Sequence, residues 1–195
     1  RFDYSGHGES SGDFAKGTIG QWFEDALHVF THVCEGPQIV VGSSMGGWIA
    51  LLLALALRKR AAGRAAIKAL VLIAPAPDFT QTLMWDAFPD AVKHEIMDKG
   101  SWARPTDYGD DPYPITRALI EDGRKHCLLD APIDVGCPVR ILQGGQDPDV
   151  PWQHAFRLMA CLPSDEVVFT LIQDGDHRLS RPQDITRILA AIAEF

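Results

Sequence analysis

The stretch QIVVGSSMGG at Gln38–Gly47 decides the fold that this sequence predicts. Its first part, Gln38–Gly42, is short, apolar and β-branched, which is typical of a strand buried on both faces of a parallel sheet. A predicted helix over about residues 45–60 follows without a spacer. The pattern Gly-x-Ser-x-Gly lies at this junction with Ser44 at its centre, so a tight turn would present a nucleophilic serine above the sheet. The alternative is a polar turn in which Ser44 only caps the helix.

Three further apolar runs predict strands, and amphipathic segments around them predict helices. The strands are Ile67–Ala74, Val139–Gln143 and Val167–Ile172. The helices are Thr18–Cys34, Trp152–Cys161 and a last helix near the C-terminus. Thr18 with Gln21 and Ser180 with Gln183 are the predicted capping boxes at the starts of the first and last helices. Buried strands alternating with helices are typical of the α/β class, with a mostly parallel, doubly wound sheet and an active crevice at the carboxyl ends of its strands.

The segment between the second and third of these four strands has a different composition. Large aromatic residues are mixed there with Asp, Gly and Pro, and strand-like runs disappear. These aromatic residues include Trp85, Phe88, Trp102, Tyr108 and Tyr113. The sequence therefore predicts one domain over residues 1–195, with a small helical cap inserted at about 76–132.

Composition and charge exclude several classes of protein. The 195 residues carry a net charge of −8 and are 46% apolar, which excludes a disordered chain and leaves no basic patch for nucleic acid. The longest apolar run, Trp48–Leu57, has about half the length that a membrane span needs. The four cysteines lack metal-ligand and Cys-x-x-Cys spacing, which indicates reduced thiols and no metal site. The thiol usage and the Ala- and Arg-rich composition favour a bacterial cytoplasmic protein.

Ser44 needs two partners, because a serine hydroxyl is a weak nucleophile until a histidine takes its proton and a carboxylate orients that histidine. Of the seven histidines, only His177 lies in a glycine-containing loop between the last predicted strand and the last helix. Asp147 and Asp149 follow the third predicted strand. The loop spacing favours Asp147 as the acid, with Asp149 as the competing candidate.

Four segments of the sequence form a recognisable set: FDYSGHGESSG at Phe2–Gly12, GSSMGGW at Gly42–Trp48, QDPDVPW at Gln146–Trp152 and GDHRLS at Gly175–Ser180. Together they resemble the α/β-hydrolase family, and more narrowly the mitochondrial palmitoyl-protein thioesterases and acyl-glucuronide esterases with their bacterial relatives, of which we expect a eukaryotic member to be mitochondrial. The resemblance implies Ser44 as nucleophile, Asp147 as acid and His177 as base. It also implies hydrolysis of acyl thioesters or acyl esters, with a small acyl ester or an acylated protein or peptide as substrate. No metal or organic cofactor is expected.

The resemblance also bears on the oxyanion hole. The backbone amide of Met45, at the amino end of the predicted helix, is the expected first donor. Members of the family carry three further strands before the one that would end at Phe2-Asp3, and a loop there supplies the second donor. We therefore expect the N-terminal strands to be missing from this chain, which begins with Arg1.

Four tryptophans are candidates for lining an acyl pocket: Trp48, Trp85, Trp102 and Trp152. Buried aromatic side chains, however, more often belong to the hydrophobic core.

Two other functions remain open: a serine peptidase of the same fold, and a non-catalytic protein that uses the pocket to hold a ligand. A dinucleotide site at Gly6-His7-Gly8 is disfavoured, because the next predicted helix begins too late to support a pyrophosphate.

Overall fold

The parts of the chain that the computed structural model describes, residues 1–60, 63–105, 112–163 and 166–195, contain six α-helices and six strands. In chain order they are α1 (Ile19–Val33), β1 (Gly36–Ser43), α2 (Met45–Arg58), β2 (Ala65–Ile73), α3 (Asp90–Lys99), β3 (Ser101–Arg104), β4 (Tyr113–Thr116), α4 (Arg117–Gly123), β5 (Val139–Gly144), α5 (Trp152–Cys161), β6 (Val167–Ile172) and α6 (Pro182–Ala193). A π-helical turn, Thr80–Trp85, precedes α3.

Four parallel strands form the main sheet, in the order β1-β2-β5-β6. Helices follow β1, β5 and β6, so the α/β class and the parallel sheet predicted from the sequence are confirmed. In register, Ser43 lies opposite Ile73, Ile73 opposite Leu142, and Gly144 opposite Ile172. The carboxyl ends of the strands are therefore level with one another, and the loops that leave them share one edge of the sheet.

Apolar residues cover both faces of this sheet, because successive residues of a strand point to opposite sides. One buried cluster contains Leu70 and Leu72 of β2, Ile141 of β5, Leu51 of α2 and Leu158 of α5. The other contains Val71 and Ile73 of β2, Leu142 of β5 and Ile188 of α6. β1 is less covered than predicted, since the side chain of Val41 is 46% exposed.

The described chain separates into two compact units. One comprises Leu27–Pro77 and Leu128–Phe195 and holds the parallel sheet; the other comprises Arg1–Ala26 and Asp78–Cys127. The second unit contains α3 and α4, and it also contains the antiparallel hairpin β3-β4, which the sequence did not predict. Its strands are only four residues long and β4 contains a proline, so neither gives a strand-like run. Tyr108 lies outside the described residues.

Local signals at two helix starts had different outcomes. The hydroxyl of Thr18 accepts a hydrogen bond from the Gln21 amide at 3.2 Å, as expected of a capping residue. The predicted capping box at Ser180 is wrong, because α6 begins at Pro182 and extended Arg181 is its N-cap. Proline has no amide hydrogen to donate, so the start of this helix needs one capping acceptor fewer. Among the described residues, no helix is long and apolar enough to cross a bilayer.

Candidate active site

Ser44 lies in a strained turn between β1 and α2. Its backbone has φ 52° and ψ −120°, a region that residues with side chains rarely occupy. Three backbone hydrogen bonds hold it there: the Ser44 amide donates to Ile73 O at 2.9 Å, and the Ser44 carbonyl accepts from the amides of Gly47 and Ala76. The Ser44 hydroxyl makes no capping bond to the helix, so the alternative of a simple helix cap is not supported.

Gly42 is what makes so tight a turn possible. A Cβ atom at this position would lie 2.7 Å from the carbonyl carbon of Gly46, closer than Cβ atoms come to other atoms. The obstacle is backbone and cannot rotate away. A side chain at residue 42 would therefore push α2 away from β1 and displace Ser44.

The side chains of Ser44, Asp147 and His177 form a hydrogen-bonded chain. Ser44 Oγ lies 3.0 Å from Nε2 of His177, and Nδ1 of His177 lies 2.8 Å from Oδ2 of Asp147. All three residues belong to the unit that holds the parallel sheet, and each follows the carboxyl end of one strand: β1, β5 or β6. The structure therefore brings together the three side chains that the sequence selected.

The loops that carry Asp147 and His177 are bonded to each other through their backbones. The amide of Gly145 donates to Ile172 O at 2.7 Å, and the amide of Gln146 donates to Gly175 O at 2.8 Å. Gly144 permits this approach, because a Cβ there would lie 2.7 Å from the carbonyl carbon of Gly175. The separation between the aspartate and the histidine is thus fixed by main-chain contacts.

The Asp147 carboxylate accepts hydrogen bonds on both oxygens. Oδ1 accepts from the amides of Asp149 at 2.9 Å and Val150 at 2.8 Å, while Oδ2 accepts from His177 and from Nε2 of Gln143 at 3.1 Å. The side chain is fully buried. Burial alone would raise the Asp147 pKa, but the bonds from His177 and the two amides outweigh burial, so the pKa is lowered and the group stays ionised.

The pKa of His177 is shifted in the opposite direction, upwards. Its side chain is 18% exposed, and burial alone would lower the pKa of the imidazole. The hydrogen bond to Asp147 and the negative charges of Asp147, Asp149 and Asp176 outweigh burial and raise the pKa above its ordinary value of 6.5. The site therefore stabilises the imidazolium that would form when the histidine takes a proton from serine.

Asp149, the competing candidate for the acid, has a different place. Its backbone amide is bonded to Asp147, and its exposed side chain influences His177 through its charge. Asp147, Asp149 and His177 offer atoms within 4.8 Å of one another, the spacing of a metal site. Both Asp147 oxygens already accept hydrogen bonds, however, and the Nδ1 of His177 is bonded to one of them. A metal would have to break that bond, so we retain the prediction of no metal.

The other predicted site residues lie in varied surroundings. Met45 begins α2, so its amide has no acceptor one turn earlier in the helix and is placed beside Ser44. Trp48 is fully buried, whereas Trp152 is 39% exposed at the start of α5. Trp102 belongs to the other unit, where the centroid of its ring lies 5.3 Å from the ring centroid of Phe88.

Two features of the site gave no signal that sequence reasoning could use. Gln143 contacts Asp147 from the end of β5, and its side chain is completely buried. Arg181 joins the histidine loop to α6, because its guanidinium donates to Asp174 at 2.8 Å and to the buried Asp184 at 2.6 Å. These residues fall in no recognised motif, and glutamine and arginine are usually found at the surface.

The sequence profile described as the alpha/beta hydrolase family matches residues 1–188. The mouse protein named palmitoyl-protein thioesterase ABHD10, mitochondrial, is 40% identical over 196 residues, an alignment that covers 100% of this chain and 64% of the mouse protein. The chain thus spans just under two thirds of the length of that relative.

Two solved structures have similar folds. A crystal structure of a protein from Agrobacterium vitis S4 superposes with a TM-score of 0.97 at 52% identity, and the match covers 100% of this chain and 74% of that one. The structure of alpha/beta hydrolase domain-containing protein 10 from mouse gives a TM-score of 0.86 at 39% identity, covering 100% and 75%. Both levels of identity are high enough to indicate common ancestry as well as a common fold.

Proposed function

This chain belongs to the alpha/beta hydrolase family, and from that premise we propose that it hydrolyses acyl thioesters or carboxylic esters through an acyl-enzyme on Ser44. The observation that carries the proposal is the hydrogen-bonded chain from Ser44 Oγ through His177 to Asp147. A hydroxyl, a base within 3.0 Å and an oriented carboxylate are the groups that nucleophilic acyl transfer requires.

In the first half of the reaction, Ser44 Oγ attacks the carbonyl carbon of the acyl substrate while Nε2 of His177 takes the hydroxyl proton. Asp147 stabilises the resulting imidazolium through Nδ1. The negative charge moves to the former carbonyl oxygen, where the Met45 amide at the amino end of α2 donates to it. The tetrahedral intermediate then collapses: the bond to the thiol or alcohol breaks, and Nε2 of His177 gives its proton to that leaving group.

The second half releases the acid. His177, now neutral, takes a proton from a water molecule as the water oxygen attacks the acyl carbon on Ser44. The second tetrahedral intermediate collapses, the bond to Ser44 Oγ breaks, and the proton returns to the serine. The products are a carboxylic acid and the free enzyme, and no group outside the chain is consumed apart from water.

For the substrate we propose an acyl thioester or ester, either as a small molecule or on a protein or peptide. The name of the mouse relative, palmitoyl-protein thioesterase, supports the thioester. The compartment we propose is a reducing one: the bacterial cytoplasm, or the mitochondrion named for that relative if the source is eukaryotic. The four cysteines, all in the described part of the chain, form no disulfide, which agrees with either compartment.

A fluorophosphonate probe tests the proposal, because it reacts with activated serines only. We expect the wild type to be labelled and Ser44→Ala to lose labelling. The neighbouring exposed Ser43 provides a matched control, and Ser43→Ala should be labelled like the wild type. If the wild type is not labelled, the result would contradict the proposed hydrolase and favour the alternative of a non-catalytic ligand-binding protein. Labelling that depends on Ser43 would contradict the assignment of the nucleophile.

Once labelling is established, a substrate panel separates the activities. The panel contains an acyl-CoA, an S-palmitoyl peptide, p-nitrophenyl esters of increasing chain length, an acyl glucuronide and an unmodified peptide. We expect Ser44-dependent hydrolysis of the thioesters or esters. Cleavage of the unmodified peptide alone would establish the peptidase alternative instead.

A further inference from the structure

Gln143 is an amide side chain buried completely at the end of β5. The residue before it, Leu142, belongs to the apolar core, and Ile141 packs on the other face of the sheet. Nε2 of Gln143 lies within hydrogen-bonding distance of three oxygens: Gly144 O at 3.1 Å, Asp147 Oδ2 at 3.1 Å and Val150 O at 2.9 Å. A polar side chain therefore occupies a position that an apolar core residue could fill.

The chemistry of these contacts fixes the orientation of the amide. All three neighbours are carbonyl or carboxylate oxygens, which only accept hydrogen bonds. The nitrogen must therefore face them, because the opposite orientation would direct the Oε1 lone pairs at three acceptors. Oε1 is buried without a hydrogen-bond partner among the described residues. An unpaired buried acceptor is destabilising, so the contacts of the nitrogen must offset its cost.

These contacts connect the end of β5 with the loop that follows it. Gly144 is the last residue of β5, Asp147 is near the middle of the loop that follows, and Val150 lies near the end of that loop, two residues before α5. One amide nitrogen on the strand thus links the strand, the carboxylate and the end of the loop. Asp147 Oδ1 is separately fixed by two backbone amides, so Gln143 supplies the restraint on the other oxygen, the one that His177 contacts.

We infer that Gln143 is a positioning residue, which holds Oδ2 of Asp147 in line with Nδ1 of His177. The inference rests on the proposed function, in which that pair supports proton transfer from Ser44. Two restraints, one on each oxygen, define the plane of the carboxylate. Without Gln143, the only remaining hydrogen bond to Oδ2 from the described residues is the one from His177. The carboxylate can then rotate about its Cβ–Cγ bond while Oδ1 keeps its two backbone amides.

Replacement of Gln143 by methionine tests the inference, because methionine has a similar length and no amide. Leu142→Met is the matched control, since it places the same side chain one residue earlier in β5, in the apolar cluster on the face of the sheet opposite Ile141. Gln143→Asn is a second variant that keeps an amide but is one methylene too short to span the loop. A thermal melt identifies any variant that has unfolded.

The first readout is the pre-steady-state burst with a p-nitrophenyl ester. A positioning role predicts that the acylation and deacylation rate constants of Gln143→Met both fall about 10²-fold, because His177 acts in both steps, so the burst amplitude and KM change little. A purely structural role would lower the amplitude and leave the rate constant of the folded fraction unchanged. Leu142→Met should keep both within about twofold, as volume-conserving core changes usually do.

The second readout needs no catalysis, so it separates this inference from the proposed function. The ring nitrogens of His177 are titrated by NMR in a Ser44→Ala background, with and without Gln143→Met. We expect the midpoint to fall by about one pH unit when the aspartate is no longer aligned. A shift in a protein without esterase activity would support the positioning role while the proposed function fails. An active wild type with neither an altered rate constant nor a shifted midpoint would overturn the inference.

Discussion

Nδ1 of His177 lies 2.8 Å from Oδ2 of Asp147, whereas Asp149, two residues later, reaches the histidine through its charge. Exchange of each carboxylate for an amide should therefore have unequal results. We expect Asp147→Asn to lower kcat about 10⁴-fold, because the amide favours the wrong imidazole tautomer. Asp149→Asn should stay within about threefold at its optimum pH, since the bonded pair is intact. Steady-state kinetics on a p-nitrophenyl ester measure both, and a larger loss in Asp149→Asn would assign the acid role to that residue.

The raised pKa of His177 makes a prediction for the pH dependence. The base must be neutral, so kcat/KM should rise with pH through the pKa of His177, and the acid limb should lie above the ordinary imidazole value of 6.5. Asp149 is one of the charges that raise this pKa, so Asp149→Asn should move the limb to lower pH. Because Asp149 is exposed, the displacement should shrink as salt is added.

A matched carboxylate controls for the change in net charge. Asp130 is also exposed and pairs with Arg157, and it is not among the groups that shift His177. Asp130→Asn should leave the acid limb where it is. Equal displacement by both variants would attribute the effect to overall charge and contradict the local assignment.

Gly42 is expected to tolerate no side chain. Gly42→Ala places a methyl group against the backbone of Gly46, so it should destabilise the fold by about 2 kcal/mol, which lowers the melting temperature by about 6 °C. It should also reduce kcat/KM by about 10²-fold, because Ser44 moves with α2. Gly63→Ala is the control, since the nearest atom to its Cβ would lie 3.9 Å away. If Gly42→Ala behaves like Gly63→Ala in both measurements, the turn is more adaptable than its geometry indicates.

Substitution of the tryptophans expected to line an acyl pocket should affect stability according to how deeply each side chain is buried. Trp48 is fully buried, so Trp48→Ala should cost about 4 kcal/mol of unfolding free energy, measured by urea denaturation. Trp152 is 39% exposed, so Trp152→Ala should leave stability nearly unchanged. If Trp152 contacts the acyl chain, its loss should raise KM more for long p-nitrophenyl esters than for short ones. A KM that is equal to the wild-type value at every chain length would remove Trp152 from the substrate site.

Much of the fold could be predicted from the sequence because the patterns that indicate its strands and helices are local. The runs that became β2, β5 and β6 are mostly apolar, with Lys68 in β2, Arg140 and Gln143 in β5 and Thr170 in β6 as exceptions, and such runs are typical of strands in a parallel sheet. The hairpin β3-β4 could not be predicted, because neither of its short strands has a recognisable sequence pattern. The two strands are stabilised by pairing with each other. The start of α6 was misread because Ser180 is a good cap by type, while the extended backbone at Arg181 sets the boundary.

For the candidate site, the sequence alone determined which residue types follow which strands: a serine between glycines after the first, two aspartates after the third and a histidine after the last. Strand order and level are properties of the sheet, and only the tertiary structure decided that Oδ2 of Asp147 lies 2.8 Å from Nδ1 of His177. It also revealed Gln143, whose importance lies in three oxygens that reach it from later in the chain. A hydrogen bond depends on distance and direction in space, and the one-dimensional order of residues records neither of them.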